Sequence, residues 1–245
     1  MDLLPLLPFL ACLFVVGFLY ASVGHGGASG YLATMALFSI RPELMKSSAL
    51  LLNVFVSFIA FIQYYRAGYF RGEKFWPFAL ASVPMAFVGA RIPLSDSLYR
   101  KILAASLILV VIRLLWQLRG KETESKPIPL AWGLAAGAVI GLLSGMIGIG
   151  GGILLSPLML LFHWAKVKET AASSSLFILV NSISGLIGLF SQGFRPEPQI
   201  YIWIMAGLLG GICGSYLGSH RLSASSLNYL LAVSVTLACL KLIFT

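Results

Sequence analysis

Apolar residues run along this chain in long unbroken stretches, without the regular alternation of half-buried strands. Positions 3–40 hold 38 consecutive residues without Asp, Glu, Lys or Arg, and positions 127–165 hold 39. At about 1.5 Å per residue, either would reach roughly 57 Å as one helix, about twice a hydrocarbon core of ~30 Å. Each run must therefore be two segments, either two crossings or a hairpin that dips in and returns to its own side. Further apolar runs follow at 47–65, 75–90 and 98–118, and again at 170–194, 198–219 and 222–240. Their length and lack of period-two alternation predict an all-α integral membrane protein rather than a barrel.

The joint in each long run is marked by glycine. Gly24-His25-Gly26-Gly27-Ala28-Ser29-Gly30 interrupts the first and Gly148-Ile149-Gly150-Gly151-Gly152 the second. Glycine costs a helix about 1 kcal/mol relative to alanine, so such clusters predict helix breaks, which leave short second members at 26–40 and 150–165. A shift of 124 residues superimposes Gly17, Leu19, Gly24, Gly26, Gly27, Met35, Leu37 and Phe38 on Gly141, Leu143, Gly148, Gly150, Gly151, Met159, Leu161 and Phe162. The chain reads as a duplication, with repeats at 1–118 and 128–245 joined by a polar linker at 119–127. A returning pair plus three crossings is an odd number per half, so the second half is expected upside down relative to the first. The expected fold is thus two inverted-topology repeats with about 8–10 transmembrane segments. Paired Gly-interrupted segments at matching positions of two halves point to a transporter's binding site.

Composition sharpens this picture. The 245 residues are 59% hydrophobic and 10% charged, with a formal net charge of +9. The basic residues sit mostly in short connectors, where Lys and Arg set topology and touch lipid headgroups, so the charge does not imply nucleic acid. The N-terminus lacks a basic region ahead of the first apolar run, which reads as a retained span. Cys12, Cys213 and Cys239 have neither paired nor metal-ligand spacing, and no metal or cofactor is expected. All eight carboxylates fall in termini or connectors. Intramembrane carboxylates are the usual proton relays and cation partners, so their absence argues against a cation pump and favours a neutral or anionic cargo.

The broken helices supply what an anion needs. The first N–H groups of a helix lack internal partners and carry the positive end of its dipole, and glycine lets a ligand approach the backbone. This makes Gly24, Gly26, Gly27, Gly148, Gly150, Gly151 and Gly152 candidate contacts, with close helix packing as the alternative. His25, aligned with Ile149, is the one histidine inside an apolar run. It can donate to an anion or carry a coupling proton, or equally serve as a neutral interhelical hydrogen-bonder. Asn53 and Asn181 lie in the spans after each broken pair, near Ser57 and near Ser173, Ser174, Ser175 and Ser182, as cargo contacts or interhelical glue. Arg91 follows Gly89-Ala90 as a cationic contact or a topological anchor. Ser29, within Gly27-Ala28-Ser29-Gly30, is a candidate contact and also fits the G-x-S-G pattern of an intramembrane serine protease. That alternative is disfavoured because no histidine is well placed and the aligned residue is Ile153. Facing breaks would serve an anion channel equally well.

GHGGASGYLA, SSALLLNVFVS, PMAFVGARI, GMIGIGGGILLSPLMLL and SSSLFILVNS together resemble the TauE/SafE family, the sulfite exporter-like membrane transporters, over residues 9–244. Gly148 through Pro157 with Asn181 is the more specific part. The first half departs from it at His25, at Ala28 and in having Ala33 where the second half has Pro157. The resemblance implies a multi-pass prokaryotic inner-membrane secondary carrier, not an enzyme, whose partners are lipid and a small sulfur-containing anion such as sulfite, a sulfonate or a thio compound. No nucleotide-binding motif is present, so coupling would come from a proton, another ion or the cargo's own gradient.

Overall fold

The computed structural model describes residues 3–95, 98, 125–223, 226 and 229. Within them the chain is all-helical, with eight α-helices: α1 (Leu3–Ser22), α2 (Ala28–Leu37), α3 (Pro42–Arg66), α4 (Gly72–Ala90), α5 (Leu130–Ile147), α6 (Gly152–Leu161), α7 (Val167–Phe190) and α8 (Ile200–Tyr216). A π-helical turn, Leu217–Arg221, extends α8. Four segments are long and apolar enough to cross a membrane: Leu44–Arg66, Leu130–Ile147, Val167–Phe190 and Ile200–Arg221. The expected last spans, 98–118 and 222–240, and most of the 119–127 linker lie outside the described residues.

Both long apolar runs break where glycine clusters. The first stops at Ser22 and resumes at Ala28; the second stops at Ile147 and resumes at Gly152. The short helices α2 and α6 differ by 124 at both ends, and each closes on a left-handed residue at matching positions, Ser39 (φ 54°) and His163 (φ 55°). Each hairpin returns to where it began. Phe38, just after α2, packs edge-on against Phe9 of α1, 5.1 Å between centroids. After α6, the His163 carbonyl accepts from the Lys126 N–H just ahead of α5 at 2.7 Å.

The halves are interleaved. α1 packs along α8 and α4 along α5, both pairs parallel. A methyl added at Gly210, Gly214 or Gly218 would run into the Phe14, Phe18 or Ser22 carbonyl, and one at Gly137, Gly141 or Gly145 into that of Phe78, Ser82 or Ala86. Glycines four apart let these backbones approach, the small-xxx-small logic of membrane interfaces. In contrast, α3 and α7 pack antiparallel: Leu50, near the start of α3, lies 3.4 Å from a Cβ placed on Gly185, late in α7. Beyond the other end of α3, the Tyr69 hydroxyl accepts from Lys168 at the start of α7.

Burial is inverted relative to a soluble domain. Asn53, Ser57, Ser82, Asn181 and Ser182 are buried, while Trp132 is 69% and Tyr201 64% exposed. This suits a protein whose rim faces lipid rather than water. Cys213 is exposed and Cys12 half-buried. Lys46, which the charge pattern places in a connector, is part of α3.

Candidate functional site

The two breaks meet in the middle of the molecule, at α3 and α7. Gly26 of the first and Gly150 of the second both abut Asn53 and Ile178. A Cβ on Gly26 would collide with the Asn53 Oδ1; one on Gly150 would stand 2.8 Å from its Nδ2, 2.7 Å from Ile178 and 3.0 Å from the Ser182 hydroxyl. The Asn53 amide is thus wedged between the breaks, its oxygen toward one and its nitrogen toward the other. Each break is also seated on the opposite half: Gly24 packs on the α7 backbone at Ala171, and Gly148 on α3 at Lys46. The left-handed φ values of Gly24, Gly27, Gly148, Gly150 and Gly151, between 72° and 95°, turn the chain here. Other residues would be strained in that region.

Buried polar side chains of α3, α5 and α7 have hydrogen-bonding capacity unused, and among them Asn53, Ser182 and Ser144 adjoin the breaks. Both amide atoms of Asn53, both of Asn181, and the hydroxyls of Ser182, Ser173 and Ser144 are buried without a protein partner. An unsatisfied buried polar group costs about 1–3 kcal/mol, so these groups could bond a polar occupant that supplied the missing partners.

His25 reaches across from the first break to the second. Its Nε2 lies 3.1 Å from the Gly152 carbonyl and 3.0 Å from the Ser156 hydroxyl, which is 2.7 Å from the Ser174 hydroxyl. Ser156 carries no motif-level signal; one turn beyond Gly152 on α6, it becomes recognisable only once the helix is placed.

The remaining candidates separate from this cluster. Ser29 donates to the Tyr20 hydroxyl at 3.0 Å, while His25 is bonded to Gly152 and Ser156, so the Ser–His pair that the serine-protease alternative needs is not formed with His25. Arg91 is exposed at the end of α4, its guanidinium over the Phe87 ring and its carbonyl accepting from Gln192. Those contacts make it an anchor at the rim and not a member of the buried cluster. Asn181 is not the positional match of Asn53: between the breaks that place is taken by Ile178, and Ser182 stands where α3 has Ser57.

Comparison with known proteins agrees with this architecture. The family model described as "Sulfite exporter TauE/SafE" matches residues 9–242. The chain is 35% identical over 235 residues to a probable membrane transporter protein, y4hK, of Sinorhizobium fredii, covering 94% of this chain and 95% of that one. It is 25% identical over 218 residues to the probable membrane transporter protein YdhB of Bacillus subtilis, covering 84% and 86%. No solved structure matches. With a family match spanning nearly the whole chain and bacterial relatives aligned end to end, this multi-pass membrane protein belongs to the TauE/SafE family of membrane transporters.

Proposed function

We propose that the protein is a secondary carrier of small sulfur-containing oxyanions, sulfite or organosulfonates, in a bacterial inner membrane, with cargo held between the two glycine breaks. The observation that carries this reading is Asn53: its amide is buried between Gly26 and Gly150 with neither atom bonded to protein. Asn181, Ser182 and Ser173 add unpartnered polar groups, and the start of α6 adds N–H groups at the positive end of a helix dipole. An oxyanion takes such donors readily, and the described membrane helices hold no carboxylate beyond their first turns to repel it.

The two halves act as inverted repeats. The antiparallel α3 and α7, and hairpins that each return to their own side, support a movement in which one half rocks against the other and exposes the central site to each face in turn. His25 couples the cycle to a proton. Its bonds to Gly152 and Ser156 tie the two breaks together, so a change in its charge alters how the halves hold each other.

Uptake by purified protein in liposomes tests the reading, with sulfite, thiosulfate, methanesulfonate, acetate and chloride, with and without a pH gradient. Saturable uptake of a sulfur oxyanion that steepens with the gradient is expected. Uptake of none of these anions would contradict the assignment of the central cluster as an anion site.

A further inference from the structure

We propose that Lys46 and Lys168 are the entry and exit contacts for the anion, one at each mouth of the path through the central site; this rests on the anion-carrier reading. Lys46 is the fifth residue of α3 and Lys168 the second of α7. Because those helices pack antiparallel with Leu50 opposite Gly185, the lysines lie toward opposite ends of the pair, roughly 30 Å apart along the helix axes.

Each ammonium is half-buried and does the same thing in its own half, closing the carbonyl end of the fourth helix. Lys46 Nζ donates to the Ala90 carbonyl at the end of α4, 3.1 Å away. Lys168 Nζ donates at 3.3 Å to the Ser219 carbonyl in the π-helical turn that ends α8. It also donates to the Tyr69 hydroxyl at 3.3 Å and stands 4.9 Å from that ring's centroid. Lys46 aligns with Thr170 under the shift of 124, so the lysines are not an inherited pair. They occupy the same structural position from different places in the repeat.

The acceptors are peptide carbonyls and a phenol. Among the described residues the ion pairs are Arg41–Glu197 and Arg71–Glu169, and neither lysine belongs to one. An ammonium held by neutral acceptors keeps its charge available, and an arriving oxyanion can replace a carbonyl with a stronger, charge-assisted hydrogen bond. Lys46 touches Gly148, where an added Cβ would stand 2.9 Å from its Cγ, and Lys168 lies one turn before Ala171, on which Gly24 packs.

The test is sided uptake. Liposomes carrying protein of determined orientation are assayed for sulfite, thiosulfate and methanesulfonate uptake from each face, with wild type, Lys46→Gln, Lys168→Gln and the corresponding arginine variants. Lys46→Gln is expected to raise half-saturation about tenfold from the face where α3 begins, with less than about twofold change from the other. Lys168→Gln should do the reverse, and the arginine variants should stay near wild type. If the lysines serve only to close helix ends, the glutamine variants lose folded protein or maximal rate equally from both faces, with half-saturation unchanged, and the proposal falls. Unchanged half-saturation in folded glutamine variants, with saturable wild-type uptake, overturns the lysine assignment alone. Wild-type protein that takes up none of the three overturns the anion reading and the lysine assignment with it.

Discussion

In the first break the chain passes from α1 to α2 through Gly24, His25, Gly26 and Gly27; in the second it passes from α5 to α6 through Gly148, Ile149, Gly150 and Gly151. Both turn through left-handed glycines, both seat their first glycine on the other half's third helix, and both bring their second glycine against Asn53 and Ile178. What they carry is different. The first sends His25 into hydrogen bonds with Gly152 and Ser156, whereas Ile149 packs into an apolar cluster with Tyr20, Val23 and Leu32. Duplication has kept the shape of the break twice and the titratable chemistry once. The backbone shape is therefore what the two breaks share, and the histidine is what distinguishes them; in the proposed carrier the shared shape would hold cargo and the histidine would couple the movement.

The largest effect is expected where that shared backbone is spoiled. Gly150→Ala places a methyl in a left-handed residue (φ 72°), 2.7 Å from Ile178 and 2.8 Å from Asn53 Nδ2. Strain of about 1–2 kcal/mol and overpacking of about 1–3 kcal/mol should together abolish uptake while leaving membrane insertion intact. Gly26→Ala meets the Asn53 oxygen without a left-handed φ, so it isolates the collision from the strain. Wild-type uptake in both variants would mean the breaks do not meet on the working surface. Uptake and thermal unfolding on the same preparations separate loss of function from loss of fold.

A middling effect is expected from making the breaks alike. His25→Ile gives the first break the second's residue and removes the bonds to Gly152 and Ser156, with about 1–3 kcal/mol lost in thermal unfolding. Its uptake should lose the dependence on a pH gradient while cargo still binds. A pH dependence equal to wild type would place the coupling group elsewhere, and cargo binding lost at every pH would make His25 a direct contact.

The run lengths, the glycine clusters and the shift of 124 made the breaks, the short helices α2 and α6 and the returning hairpins legible in the sequence. These are local consequences of hydrocarbon thickness and of what glycine does to a helix. Partnership between elements was not legible. Nothing in the apolar runs says that Gly24 packs on α7 and Gly148 on α3, that Ser156 would meet His25, or that Lys46 lies inside a helix. Matching asparagine with asparagine pairs Asn53 with Asn181, but packing against the breaks pairs it with Ile178. Arg91 stays open in the same way, as contact or anchor, because a charge after a span reads alike whether it turns inward or, as here, stays at the rim.

The smallest effect should come from glycines that turn the chain away from the breaks. Gly68 and Gly193 are left-handed, at φ 80° and 85°, with nothing within 4 Å of an added Cβ. Alanine at either should cost about 1–2 kcal/mol of backbone strain and leave uptake at the wild-type rate. Lost transport there would show that any backbone strain disables the protein, and the sensitivity of Gly150 would no longer be specific.

The most direct test of the central site is ligand-dependent thermal unfolding of Asn53→Leu beside wild type, titrated with sulfite, thiosulfate and methanesulfonate. Because neither Asn53 amide atom has a protein partner, replacing it with leucine removes no protein hydrogen bond, and the unliganded fold should lose no more than the about 1–3 kcal/mol of overpacking that the larger side chain brings. Wild type should gain stability with the anion it carries, in step with occupancy. Asn53→Leu is expected to keep the fold and lose that gain, with half-saturation raised about tenfold or more. A folded Asn53→Leu that the same anion stabilises as strongly as it does wild type would contradict the claim that cargo is held between the two breaks.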